Sequence, residues 1–263
     1  MMKKIFISLI VMIMPMMLFG QSYASLWKKV ELAQDKDLPQ TEYELLQKIV
    51  AKAEKGRDYG QLLKASLQSA QAMASIASDS LKPAMEEMKQ KCESTTDEVL
   101  RTVWQTVLYR VSSNNYRLGL EVERPKLTEE LCKRLAQVKD KSYAPFVIHG
   151  VDAGIFDNDL LHVIGFELGY DFDTLYNYYK KVGNRRAACI IAAQGNSYAG
   201  KEKLDELIRE YQDLPEVGEL ALVRYRQIAY DAKAEKYDYI QDALGKWGKS
   251  WPRLAELRNE KDR

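Results

Sequence analysis

Only two histidines, His149 and His162, stand among the 263 residues, so imidazole chemistry is confined to one stretch of the chain. With Asp152, Asp157 or Glu167 beside them they could be drawn as a metal site, or as the acid–base centre of a small hydrolase. Helical metal sites space their ligands so that both imidazoles reach one ion from one face, as in H-E-x-x-H. No such spacing occurs here, and His162 lies between Leu161 and Val163, the surroundings of a core residue. Asp157, Asp159, Asp171 and Asp173 invite a second drawing, the paired carboxylates of glycoside hydrolysis, which must be held across a cleft. Asp171 and Asp173 instead precede an amphipathic stretch, where an acidic side chain caps free N–H groups and complements the helix dipole. Asp157-Asn158-Asp159 lacks the glycine and the distal glutamate of a calcium loop. There is no G-x-S-x-G, and Gly150 to Gly154 leads into no Lys-Ser/Thr of a phosphate loop. The expectation is a chain without catalytic residue, cofactor site or metal ligand.

The remaining reactive and aromatic side chains read as packing. Cys92, Cys132 and Cys189 are odd in number and form no C-x-x-C pair; they are expected as buried free thiols, with one disulfide and a leftover thiol as the alternative. Trp104 has Leu100 and Leu108 one helical turn away on either side and is expected as a core anchor. In Tyr176-Asn177-Tyr178-Tyr179-Lys180-Lys181, helical spacing turns Tyr176 and Tyr179 inward and Tyr178 outward. Trp247 and Trp251 flank Gly248 in a stretch loosened by Gly245 and Pro252. Tyr178, Trp247 and Trp251 are therefore the candidate partner-binding residues.

The elements that carry these residues are short amphipathic helices. Leu26, Trp27, Val30 and Ala33 line one face; Asp37-Leu38-Pro39 breaks the pattern, and Pro39 suits a first helical turn. Leu45, Leu46, Ile49, Val50 and Ala53 form the next stripe, Gly56 ends it, and Leu63, Leu67, Ala70, Ala74 and Ala77 form a third. Ser80-Leu81-Lys82-Pro83 reads as a turn that starts a helix bearing Met85, Met88 and Cys92. Ser94-Thr95-Thr96 offers cap hydroxyls for the stripe Val99, Leu100, Val103, Trp104, Val107, Leu108 and Val111, wide enough for burial on two sides. A loop-like run from Ser112 to Pro125 is the expected boundary, and a helix restarts at Thr128. Ala144 to Ile148 could be strand or helix. Beyond Asp159 the pattern is helical again, with Asp173 expected as a cap and Gly183-Asn184 as a stop. Such helices cannot bury their apolar faces alone and must stack on neighbours. The expected fold is all-α, a TPR-like array of antiparallel helical hairpins (an α-solenoid). It is TPR-like in shape only, because W-x2-L-G-x2-Y is met no further than Trp27-x2-Val30.

At the N-terminus, Lys3 and Lys4 precede an apolar run from Ile5 to Phe19, shorter than the ~20 residues of a spanning helix, as in a cleaved signal peptide. Cleavage after Gly20 or Ala24 would give an exported chain, and Gln21 stands where a lipoprotein would have its cysteine. Without Lys3 and Lys4 the balance is 37 basic against 38 acidic residues, which gives no electrostatic case for nucleic acid or an anionic membrane surface. Eleven of the 16 tyrosines lie at or beyond Tyr143, which suggests a second packing style in the C-terminal half. The expected divisions are a signal peptide over 1–24, helical hairpins over 25–124 and 125–250, and a charged tail over 251–263.

Several strings carry a resemblance. Ser25 to Gln40 (SLWKKVELAQDKDLPQ), Tyr59 to Ala65, Leu160 to Gly165 and Thr174 to Arg185 are similar to the N-terminal helical region of exported alpha-2-macroglobulin-like proteins of Bacteroidetes. Ala243-Leu-Gly-Lys-Trp-Gly with Leu254 to Asn259 resembles the point where such proteins pass into β-sandwich domains. In that family, protease trapping depends on β-sandwiches, a bait region and often a Cys-x-Glu-Gln thioester; Cys92, Cys132 and Cys189 each lack that sequence. The resemblance implies a non-catalytic interaction module of the cell envelope, partnered by another protein or by downstream β-sandwich domains. The alternatives are an exported glycan- or peptide-binding protein, and a small hydrolase using His149 or His162 with nearby acids.

Overall fold

The computed structural model describes residues 21–119, 121–139, 155, 159–169 and 172–261. Residues 1–20, expected above as most of a signal peptide, and His149, Asp152, Asp157, Asp171 and the run 144–148 lie outside the described residues. Within them the fold is all-α with no β-strand, and successive helices pack on one another as hairpins. Two compact units result, Met1–Lys126 with Gln137–Tyr143, and Leu127–Ala136 with Ala144–Arg263.

In the first unit, α1 (Tyr23–Asp35) is capped by Ser22, whose Oγ accepts from the Ser25 N–H at 3.2 Å, and buries Leu26, Val30 and Ala33. Asp37 takes a left-handed conformation (φ 51°), and Pro39 opens α2 (Pro39–Gly56) at the position where its missing N–H costs nothing. The residue that ends α2 in the left-handed region is Arg57 (φ 55°), not Gly56. Gly56 stays helical and is small for another reason: a Cβ there would lie 2.6 Å from the Asp58 carboxylate.

The third helix, α3 (Tyr59–Ile76), corrects the expected stripe. It buries Leu62, Leu63, Ala65, Ser66, Ser69 and Ala72, while Ala77 is exposed and Leu67, Ala70 and Ala74 are half-buried. The helix is enclosed by α2 and by the two helices that follow it, so its buried sector rotates onto small residues that allow close approach. The expected turn at Ser80–Pro83 is also overturned: α4 (Ser78–Ser94) begins earlier and keeps Pro83 inside. Leu81 and Met85, 2% and 3% exposed, anchor the turn around that proline. For α5 (Glu98–Asn114) the cap is Asp97, whose Oδ1 accepts from the Val99 and Leu100 N–H groups at 3.1 Å each; Thr95 instead receives the Asp97 N–H. Tyr59 donates to Asp97 Oδ2 at 2.9 Å, and burial together with that carboxylate pushes the phenol up to about 12. A short 3-10 turn, Tyr116–Leu118, follows.

In the second unit all but the last helix are shorter: α6 (Glu129–Gln137), α7 (Leu160–Glu167), α8 (Phe172–Lys181), α9 (Arg185–Gly195), α10 (Lys201–Glu210), α11 (Val217–Arg226) and α12 (Lys233–Trp247). Thr128 Oγ1 accepts the Leu131 N–H at the start of α6. Asp173 sits inside the first turn of α8 and is not its cap; there it still complements the dipole. Gly183 is left-handed (φ 75°) and Asn184 caps α9 by accepting from the Ala187 N–H at 3.1 Å. The expected charged tail is a correction. Pro252–Ala255 forms a 3-10 turn and Glu256–Lys261 forms α13, with Leu254 and Leu257 buried, because their apolar faces pack on α11 and α12.

Candidate functional site

The four helices α2 to α5 do not close completely. A cavity of about 110 Å³, open on one side, remains between them. Its lining takes Trp104 from α5 and Ser66 from α3; Tyr43 and Gln47 come from α2, and Met73, Met85 and Met88 from α3 and α4. The sequence supplies this lining through side chains that pack loosely. Methionine is unbranched and fills space adaptably, and the small residues Ala70 and Ala84 leave room beside it.

The polar atoms of the cavity are unevenly satisfied. Gln47 Nε2 donates to Ser69 Oγ at 2.5 Å. Lys91 stands at the rim with its Nζ 3.9 Å from both Glu54 and Glu87 and 5.9 Å from the centre of the Trp104 ring, so the rim carries no strong net charge. Tyr43 has its phenol pushed up by burial and then by Glu87. Ser66 is 2% exposed, and its Oγ, wholly buried, makes no hydrogen bond among the described residues. Leaving a hydroxyl in that state costs about 1–3 kcal/mol.

The second unit spends its polar groups differently. Asp159 caps α7 by accepting from the His162 N–H at 2.8 Å and receives the Tyr179 hydroxyl at 3.1 Å on each carboxylate oxygen. His162 is 1% exposed, and burial lowers its imidazole to about 3, so it is neutral in the folded chain. Glu167 is only half-buried. Elsewhere, Arg186 Nε donates to the fully buried Glu216 at 2.8 Å, and Arg224, 4% exposed, reaches Asp205 at 3.2 Å and Glu235 at 3.6 Å. Cys92, Cys132 and Cys189 are free and buried, and burial followed by Glu216 pushes the Cys189 thiol up. Among the described residues no three His, Cys, Asp or Glu side chains gather as a metal site.

The expected partner-binding residues fare unequally. Tyr178 is half-buried on α8, edge-on to Tyr179 with ring centres 5.4 Å apart. Trp247 is half-buried at the end of α12, with the Lys246 ammonium 5.7 Å from its ring centre. Trp251 is not a surface residue at all, which corrects the third assignment. It is 3% exposed, donates from Nε1 to Glu219 at 2.7 Å, and lies so close to Gly218 that a Cβ there would be 2.5 Å from its Cδ1. Trp104 is the core anchor expected of it and also forms part of the cavity wall.

Sequence reasoning missed the cavity because four separate helices make it. The one available signal was the thin Met85–Met88–Cys92 stripe, too narrow to fill a helix–helix seam. Compared with known proteins, the chain matches no family model, no curated protein and no solved structure, so the reading of its function rests on this geometry and on the sequence.

Proposed function

We propose that the chain is a non-catalytic interaction module of the cell envelope, comparable to the N-terminal helical region of an alpha-2-macroglobulin-like protein or to a stand-alone relative of that region. The observation that carries this reading is the cavity between α2 and α5, open to solvent and lined by methionine and aromatic side chains. Its methionine, tryptophan and tyrosine lining suits an apolar anchor side chain of a protein partner. Adaptable methionines suit a surface that must accept another protein. Export is supported by Lys3, Lys4 and the apolar run to Phe19, and the quoted strings support the family comparison. No helix among the described residues is long and apolar enough to cross a membrane.

The test is photocrosslinking in cells with p-benzoylphenylalanine placed at Tyr43 or Met88, and at the exposed Leu32 as reference. The reading expects a discrete protein adduct from the first two positions and none from Leu32. Adducts absent from both cavity positions, or equal at all three, would contradict it.

A further inference from the structure

We propose that the mature chain begins at Gln21 and that this residue is a modification site, its freed amine closing on its own side chain to a pyroglutamyl lactam. The inference rests on the export part of the reading above. It goes beyond that reading in naming the bond that is cut and the chemistry that follows.

The sequence allows cleavage after Gly20 or after Ala24, and small-x-small spacing favours the second. The fold argues for the first. Ser22 caps α1 through its Oγ, 3.2 Å from the Ser25 N–H. Tyr23 donates its hydroxyl to Asp58 at 2.5 Å, and the Lys52 ammonium lies 4.7 Å from the centre of the Tyr23 ring. Lys52 also donates to the main-chain carbonyl of Gln21, which ties that residue to α2. A cut after Ala24 would strip away all four contacts and leave a charged amine on Ser25, inside the first turn of α1. A cut after Gly20 keeps every one of them.

A free amine on Gln21 would be badly placed. At neutral pH it is largely an ammonium. It would stand just before the positive end of the α1 dipole, and the first turn of α1 holds no acidic residue to offset it. Lys52 on the Gln21 carbonyl and Lys29, with its Nζ 3.5 Å from Gln21 Oε1, already bring two positive charges to this residue. Cyclisation removes the third. The amine nitrogen attacks Cδ, a new C–N bond closes a five-membered ring, the Cδ–Nε2 bond breaks, and Nε2 departs as ammonia with a proton from the amine. No oxidant or other co-reactant is consumed, and the terminus becomes a neutral lactam. The ring keeps both oxygens that the lysines meet, the main-chain carbonyl and Oε1, the latter as the lactam carbonyl. The nitrogen that leaves takes part in neither contact.

The test is intact-mass measurement and N-terminal sequencing of the full chain, isolated promptly from the cells that make it. The expected product starts at Gln21 and is lighter by one ammonia. It resists stepwise degradation until pyroglutamyl aminopeptidase removes the first residue, and then reads Ser22-Tyr23-Ala24. Gln21→Asn, whose shorter side chain cannot close a five-membered lactam, should be cut at the same bond and read directly from position 21. A chain that starts at Ser25, one that starts at Gln21 with its amine free, or a Gln21→Asn chain still blocked at position 21 would each overturn the proposal. None of these outcomes touches the interaction reading, which the crosslinking decides. A chain that keeps Met1 would overturn both the proposal and the export on which it rests.

Discussion

The two units solve the same packing problem with opposite economies. The first, built on helices of 17 and 18 residues in α2 to α5, keeps most charge outside and leaves space inside. The second, built largely on helices of 8 to 11 residues, ties its elements with polar pairs that each have a buried member. Short helices gain little from apolar stripes alone, so Asp159–Tyr179, Arg186–Glu216, Arg224–Asp205 and Trp251–Glu219 hold them in register. Buried polar ties specify one arrangement but punish any loss of a partner. Loose apolar packing tolerates change and can take in a guest. Under the interaction reading proposed above, the cavity makes the first unit the receptor.

Acid should separate the units most strongly. His162 is held near a pKa of about 3 when folded and returns to about 6.5 when unfolded. Between those values the unfolded chain binds the extra proton, so stability falls as pH drops from about 6.5 toward 3, by up to about 1.4 kcal/mol per pH unit. Hydrogen exchange at pH 4 and pH 7 should show protection lost in α7 and α8 well before α2 and α5. Simultaneous loss would mean that the His162 environment is not the weak point.

Added volume should divide them next. Gly218→Ala forces a Cβ against the Trp251 ring and should cost about 1–3 kcal/mol, measured by urea denaturation. Ala84→Leu adds more atoms to the first unit, yet should change stability by less than about 1 kcal/mol or increase it, because the cavity accepts them. A large loss from Ala84→Leu would show the first unit to be as tightly packed as the second.

How far the sequence reveals this division depends on how local each feature is. Leu46, Ile49 and Ala53 repeat with the helical period and are buried as that period demands. The glycine and asparagine at 183 and 184 end one helix and cap the next through backbone geometry intrinsic to those residues. Ser66 and Ser69 fall outside the expected stripe of Leu63, Leu67, Ala70, Ala74 and Ala77, and their burial is imposed by neighbouring helices, which no window of α3 contains. Pro83 read as a helix start, since its single missing N–H is outweighed only by the tertiary anchoring of Leu81 and Met85. Trp251 read as a partner-binding candidate because the residues it packs on, Gly218 and Glu219, lie more than thirty residues earlier. The cavity was the least visible feature, being a property of the space between four helices.

The receptor role proposed for the first unit can be tested most directly by nuclear Overhauser contacts from a small aromatic probe, toluene, to methyl groups labelled with ¹³C at methionine and isoleucine. The account predicts contacts from the ring to Met73, Met85 and Met88, and none to Ile190, Ile191 or Ile240 of the second unit. Contacts confined to the isoleucines, or spread evenly over both units, would contradict it.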